Sequence, residues 1–157
     1  MACSRAPVPT TRIFTGDQCR RPRRPASVAT VMLDRMTAAA LLLRFADRID
    51  AQDWDGLSAL LAPDFRARYV HTGETFDRDS FVALNRDYPG SWRFEHEDVV
   101  DAGERGVLRA RVSDATGASG DVFHVATFAT AGADGLLHEV VEVWADQVAE
   151  PPAQGRA

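Results

Sequence analysis

Four segments of alternating apolar and polar residues fill the second half of the chain, and they constrain its fold more than any other feature. The segments cover residues 92–101, 106–114, 121–130 and 136–146. Short glycine-containing stretches separate them, at Gly103–Gly106, Thr116–Gly120 and Gly132–Gly135. A period of two is typical of strands, and turn residues at this spacing favour an antiparallel meander.

Helical periodicity dominates the stretch before this meander. A first helix is predicted after Met36, with Thr37 as its N-cap and an apolar face at helical spacing: Leu41, Leu42, Phe45 and Ile49. A second, shorter helix is predicted from Asp53 until Pro63 ends it. A third is capped by Asp77 or Asp79 and stops at Pro89-Gly90.

Residues 65–70 and 75–76 lie between the second and third helices and predict a strand with a short return strand. Three helices followed by a curved sheet must bury the apolar face of the sheet against the helices. The predicted fold class is therefore α+β, with three N-terminal helices on a curved mixed, largely antiparallel sheet.

The two ends of the chain lack either periodicity. Residues 1–35 contain seven arginines against two acids and both cysteines, which predicts a disordered leader. A solvated tail, or upstream sequence translated from an early start with Met32 and Met36 as alternative starts, is the favoured interpretation of this leader. The alternatives are a nucleic-acid or membrane-surface patch at Arg20-Arg21-Pro22-Arg23-Arg24 and an organelle transit peptide. Residues 148–157 are predicted to be a disordered tail, so the domain covers residues 36–147.

Charge and hydropathy exclude several classes of partner. After residue 35 the chain carries 11 arginines and 21 acids, which disfavours nucleic acid as a partner. No apolar run reaches the length of a membrane span, and the start lacks the apolar region of a secretory signal. We therefore expect a cytoplasmic protein with no membrane partner.

Several local phrases, together with this order of elements, resemble the nuclear transport factor 2-like superfamily. The phrases are Ile49-Asp50-Ala51-Gln52-Asp53-Trp54, Leu60-Leu61-Ala62-Pro63-Asp64-Phe65, Tyr88-Pro89-Gly90-Ser91-Trp92, Phe123-His124-Val125-Ala126-Thr127-Phe128 and Val143-Trp144. The last three are similar to the bacterial SnoaL-like branch, which includes polyketide cyclases. The resemblance implies a cone-shaped α+β barrel around an apolar pocket, and homodimerisation. It leaves function open because this fold hosts several activities.

Comparison with the ketosteroid isomerases of that superfamily argues against their specific chemistry. The resemblance places Phe45 where they have an oxyanion-hole tyrosine, Tyr69 where they have the aspartate base, and His124 where they have a late carboxylic acid. Phe45 donates no hydrogen bond, and a phenol with an ordinary pKa near ~10 is a poor base at neutral pH. We also find no match to the Asp-Arg-Asp set of limonene epoxide hydrolases.

Strand alternation suggests which side chains enter the pocket. If His124 points inward, so do Val122, Ala126 and Phe128. On the last strand the resemblance selects His138, Val140, Glu142 and Trp144, although Val141 and Val143 could equally belong to the core. A hairpin turn centred on Ala133 would place His124 opposite Glu142.

These considerations predict a site made only of protein side chains. His124, Glu142 and Tyr69 are the candidate catalytic residues: an imidazole that transfers a proton, a carboxylate that orients it, and a hydroxyl donor. The candidate substrate-binding residues are Phe45, Trp92, Phe94, His96 and Trp144. A purely structural histidine–glutamate pair is the alternative. We find no metal-ligand spacing and no nucleotide motif, so no metal and no cofactor are expected.

Three classes of function remain open from the sequence. The first is a cofactor-independent isomerase, cyclase, dehydratase or hydrolase acting on a small, apolar, cyclic molecule. The second is a non-catalytic ligand-binding domain. The third is a dimerisation module, in which Arg109 and Arg111 on the outer face of the sheet make surface or dimer contacts. A homodimer is expected in each case.

Overall fold

The computed structural model describes residues 36–147, which form three helices and six strands. The helices are α1 (Ala38–Asp50), α2 (Trp54–Leu60) and α3 (Arg78–Asp87). The strands are β1 (Leu61–Tyr69), β2 (Thr75–Asp77), β3 (Trp92–Ala102), β4 (Arg105–Asp114), β5 (Val122–Ala131) and β6 (Leu137–Asp146). The predicted leader, with both cysteines, and the predicted tail lie outside the described residues.

The six strands form one curved, open sheet with the order β2-β1-β6-β5-β4-β3. Strand β1 runs parallel to β6, and every other neighbouring pair is antiparallel. The predicted α+β class, with three helices on a mixed and largely antiparallel sheet, is confirmed. The predicted four-strand meander corresponds to β3, β4, β5 and β6. Strand β1 pairs with β6, the last strand of the meander.

Side-chain caps explain where the helices begin. The Thr37 side chain accepts a hydrogen bond from the Ala40 amide at 3.3 Å, and Asp53 accepts one from the Gly56 amide at 2.9 Å. At α3 the cap is Asp77, which exchanges hydrogen bonds with Ser80 in a capping box. None of the helices within residues 36–147 is long and apolar enough to cross a bilayer.

Strand β1 begins earlier than the sequence pattern predicts. It starts at Leu61 and contains Pro63, and its register with β6 shifts between Leu61 and Arg66. A proline cannot donate to a strand ladder, so it is tolerated where pairing is interrupted. Regular pairing with β6 covers Arg66 to Tyr69, which brings the end of β1 beside the middle of β6.

Three phenylalanines join the helices to the sheet. The Phe81 ring of α3 lies 5.9 Å from Phe45 of α1 and 5.5 Å from Phe65 of β1, measured between ring centroids. All three side chains are fully buried. This aromatic cluster holds α3 against β1 and α1.

Candidate functional site

A cavity of about 680 Å³ lies between the helices and the concave face of the sheet. Its wall is largely aromatic and aliphatic, formed by Ile49, Trp54, Tyr69, Leu84, Tyr88, Trp92, Phe94, Val112, Phe123 and Trp144. Its polar lining residues are Gln52, His71, Thr72, Glu74, Asn85, Arg86, Glu142 and Asp146. This volume and composition suit a small organic molecule.

The carboxyl group of Glu142 lies in this wall and is 2% exposed. Strand alternation on β6 turns Val140, Glu142 and Trp144 toward the helices. The Thr127 hydroxyl, on β5, donates to Oε1 of Glu142 at 3.2 Å. The Trp144 indole Nε1, two residues further along β6, donates to Oε2 at 2.8 Å. Two neighbouring strands therefore fix the position of the carboxyl group.

Burial dominates the acidity of this carboxyl group. It raises the pKa of Glu142 from 4.5 to about 7, because the apolar surroundings disfavour the charged form. Hydrogen bonds from Trp144, Thr127 and Tyr69 act in the opposite direction and favour the carboxylate. The result is an acid that changes protonation state near neutral pH, where a general acid or base is most effective.

The Tyr69 side chain completes the polar end of the cavity. Its Cα is paired with that of Glu142 across the parallel strands, and its ring lies 6.2 Å from that of Trp144. Burial, followed by the nearby Glu142 carboxyl group, raises the pKa of the Tyr69 phenol well above its usual value. Tyr69 therefore stays protonated and acts as a hydrogen-bond donor, not as a base.

Aromatic rings at the end of α3 form another part of the wall. The Trp92 ring lies 5.9 Å from Tyr88 and 5.8 Å from Phe123, and its Nε1 donates to the Pro89 carbonyl at 2.7 Å. Gly90 in this loop has φ +99°, and a Cβ there would lie 3.0 Å from Nε1 of Trp92. A glycine is therefore required where the loop passes the indole.

The predicted inward position of His124 is wrong. Its side chain is 40% exposed on the outer face of the sheet, with Nδ1 3.9 Å from Oε2 of Glu97. In the register of β5 and β6, His124 pairs with Ala145, whereas Glu142 pairs with Thr127. The predicted pairing is thus displaced by three residues, an odd number, which exchanges the two faces of β5. The proposed His124–Glu142 pair does not form.

Two predicted substrate-binding residues also lie elsewhere. Phe45 is fully buried in the core against Phe81, and it does not line the cavity. Its face of α1 is covered by α3, so no ligand reaches it. His96 is exposed and does not line the cavity either. It lies on the edge strand β3, beside a register shift between His96 and Asp98.

The remaining predicted residues converge on the cavity. Tyr69 and Glu142 lie together at one end, and Trp92, Phe94 and Trp144 line the wall. Their roles in binding or catalysis stay predictions. Thr127 was missed because both faces of β5 carry apolar residues, so a threonine among them gave no sign that it faces an acid. Within residues 36–147 no cluster of three metal-ligating side chains occurs.

Comparisons with known proteins agree with this architecture. Residues 42–148 match the model of the SnoaL-like domain family. No curated protein sequence matches the chain. Among solved structures, a proposed ketosteroid isomerase from Kribbella flavida is 23% identical with a TM-score of 0.64, and the match covers 74% of this chain and 84% of that one.

Two further solved structures share the fold. An LEH-like epoxide hydrolase from M. tuberculosis is 15% identical with a TM-score of 0.55, over 69% of this chain and 82% of its own. A proposed polyketide cyclase from Sinorhizobium meliloti is 19% identical with a TM-score of 0.55, over 65% and 92%. At these identities the likeness establishes the fold alone.

Proposed function

We propose that this chain, which belongs to the SnoaL-like domain family, binds a small, mostly apolar cyclic molecule and exchanges a proton with it through Glu142. The observation that carries the proposal is a buried carboxyl group, with its pKa raised to about 7, in the wall of an aromatic cavity. No cofactor is required for proton transfer of this kind.

Glu142 is the proposed general base. Its hydrogen-bond donors hold the two oxygens in place, so the carboxylate is oriented before a ligand arrives. At neutral pH a group with a pKa of about 7 is substantially ionised, and its conjugate acid can return the proton. Tyr69, protonated throughout this range, supplies a hydrogen-bond donor beside it.

The names of structural relatives support a reaction of this class. They include a proposed ketosteroid isomerase, a proposed polyketide cyclase and an epoxide hydrolase. Isomerisation, cyclisation and epoxide opening all need a positioned proton donor or acceptor. Because His124 lies on the outer face of the sheet, its imidazole is not in the cavity, and we assign the proton-transfer role to Glu142 instead.

Hydrogen–deuterium exchange at carbon tests this proposal directly. The purified protein is incubated in D₂O with a panel of two-ring carbon acids, some cyclic ketones and some cyclic iminium ions, and exchange is followed by NMR. We expect acceleration by the native protein and its loss in Glu142→Gln. Glu139→Gln, the same change on the exposed side of the same strand, should retain it. Exchange that persists in Glu142→Gln would contradict the proposal.

A non-catalytic binding domain is the second candidate, and one observation favours it. Each oxygen of the Glu142 carboxyl group already accepts a hydrogen bond from the protein. A carboxyl group satisfied in this way can serve to stabilise the wall alone. Tight binding of panel members without any carbon exchange would assign the chain to this class.

A further inference from the structure

We propose that the ligand of this cavity is an organic cation, a mostly apolar ring system whose protonated amine or iminium nitrogen lies against the Glu142 carboxylate. The inference rests on the proposed function, because it names the chemical class of the molecule held beside Glu142. It follows from the distribution of charge and of aromatic rings around the cavity.

The charge of the lining is negative. Within residues 36–147, no arginine or histidine forms an ion pair with Glu142. The groups nearest its carboxyl are neutral: the Thr127 hydroxyl, the Trp144 indole and the Tyr69 phenol. Glu74 and Asp146 add two more acids to the lining.

The cationic side chain that reaches the cavity from α3 is paired with an acid at the exposed surface. The Arg86 guanidinium holds Asp87 through two hydrogen bonds, with Nε at 2.8 Å and Nη2 at 2.9 Å from the carboxylate oxygens. His71 also lines the cavity and stacks on Tyr69 at 5.8 Å. An anionic ligand would therefore meet uncompensated acids, whereas a cation would supply the missing counter-charge.

The aromatic wall suits the same ligand class. Tyr69 and Trp144 flank the carboxyl group, and the linked rings of Tyr88, Trp92 and Phe123 extend the wall. The faces of aromatic rings attract organic cations, most strongly when water is excluded. A carboxylate surrounded by such rings can compensate an ammonium group while the rings bury the hydrocarbon around it.

Charge balance also favours a cationic substrate in the proton-transfer step. When the Glu142 carboxylate takes a proton from the carbon next to an iminium, the C–H electron pair becomes the C=C bond of an enamine. The C=N pair moves to nitrogen, and the carboxylate becomes a carboxylic acid. Two charges disappear beside the buried Glu142 side chain. The same step on a neutral ketone would leave an enolate without a paired cation.

Binding of three naphthalene compounds tests the charge of the ligand while its size stays constant. The probes are 1-naphthylmethylamine, 1-naphthylmethanol and 1-naphthylacetate, measured by calorimetry at about pH 8 and about pH 5.5. At the higher pH we expect the amine to bind about tenfold more tightly than the alcohol, and the acetate most weakly. At the lower pH Glu142 is protonated, so the preference for the amine should fall to about twofold or less.

Variants locate the effect at Glu142. The preference for the amine should disappear in Glu142→Gln and persist in Glu139→Gln, and the pH comparison on the native protein does not depend on either variant. If the alcohol binds as tightly as the amine at about pH 8, or if none of the three compounds binds, the cation proposal is wrong. The proposed function is decided separately, by carbon exchange in the native protein and its loss in Glu142→Gln.

Discussion

At the scale of single residues, Glu142 carries a cost in stability that depends on pH. Its pKa is 4.5 in the unfolded chain and about 7 in the folded protein, so between these values the folded state retains a proton that the unfolded state releases. The free energy of unfolding therefore falls as pH rises from about 4.5 to about 7. Below about pH 4.5 Glu142 is protonated in both states and does not affect the pH dependence of stability. Above about pH 7 the full destabilisation by the buried carboxylate remains.

Glu142→Gln should remove this dependence. Relative to the native protein, we expect the variant to gain on the order of 3 kcal/mol as pH is raised from about 4 to about 8. Glutamine also places a mismatched amide next to the Trp144 N–H, but that effect on stability is the same at every pH. It therefore does not alter how the difference between native and variant protein changes with pH. Urea denaturation across the range measures it, with Glu139→Gln as the matched control. A difference between native and variant protein that is independent of pH would contradict the buried acid.

The donors around Glu142 should set its pKa in a defined order. The hydrogen bonds from Trp144, Thr127 and Tyr69 lower this pKa, in decreasing order of effect. Trp144→Phe should therefore raise the Glu142 pKa further above 7 than Tyr69→Phe does. Titration of the ¹³C-labelled carboxyl group by NMR reads out both shifts. Tyr88 also lines the cavity but is not among the groups that shift the Glu142 pKa, so Tyr88→Phe should leave the titration unchanged. A shift in that variant would show that the assignment of donors is wrong.

At the scale of elements, α3 is held to the sheet chiefly by Phe81. Its ring packs between Phe45 of α1 and Phe65 of β1, and it is the buried residue of α3. Truncation of such a residue leaves a void that the surroundings fill only in part. Because Leu84 and Asn85 of the same helix line the cavity, loosening α3 should also disturb the site.

We expect Phe81→Ala to lower the free energy of unfolding by about 3–5 kcal/mol, and Phe81→Leu to lower it by much less. Chemical denaturation measures both. Ligand affinity of the folded fraction should fall in Phe81→Ala, since one wall of the cavity is no longer fixed. A loss in Phe81→Ala no larger than that in Phe81→Leu would mean that the aromatic cluster is not what docks the helix.

The elements themselves were predictable from sequence, whereas the pairing of two strands was not. Helix caps at Thr37 and Asp53 and the glycine-separated strands follow from local chemistry, and the structure confirms them. The inward face of β5 depends on register, and the register shift between Thr130 and Ala131 is set by the hairpin geometry. Apolar residues occupy both faces of β5, so hydropathy could not correct the error that placed His124 inside.

The sequence is equally unable to show how deep the cavity is, because its depth depends on how the elements pack. Trp92 and Phe94 were predicted to line it from strand alternation, and Tyr69 and Trp144 from the family resemblance; all four line the cavity, and their roles stay predictions. Which aromatic residue packs and which faces empty space depends on how α3 lies on the sheet. The sequence of α1 does not reveal how α3 lies on the sheet. Phe45 of α1 was therefore predicted to line the cavity, whereas Phe81 of α3 covers it.

At the scale of the whole unit formed by residues 36–147, the two faces of the sheet form different surfaces. Alternate residues of β5 and β6 face the cavity, and the intervening residues form the outer face of the sheet. Large apolar side chains remain exposed on that side, with Phe128 at 41%, Val143 at 42% and Val100 at 56%. A shallow groove of about 270 Å³ runs between Val100, Val107, Phe128 and Val141. Such a patch is typical of an interaction surface.

We predict that this outer face pairs with a second copy of the chain. Arg109 and Arg111 border it, and each faces an acid on β3, at 3.4 Å from Glu97 and 3.2 Å from Glu95. Because this border carries both arginine and glutamate, two copies related by a two-fold axis can pair the arginines of one copy with the glutamates of the other. Light scattering coupled to size exclusion should therefore give the mass of a dimer.

Phe128→Glu should convert that dimer to a monomer, because it places an unpaired charge at the centre of the apolar patch. The cavity lies on the opposite side of β5, so affinity of the folded protein for a bound probe should be retained. Asp79→Ala, on an exposed position of α3, is the control and should remain dimeric. If the native protein is a monomer at all accessible concentrations, or if Phe128→Glu stays dimeric, the two copies do not meet through this face.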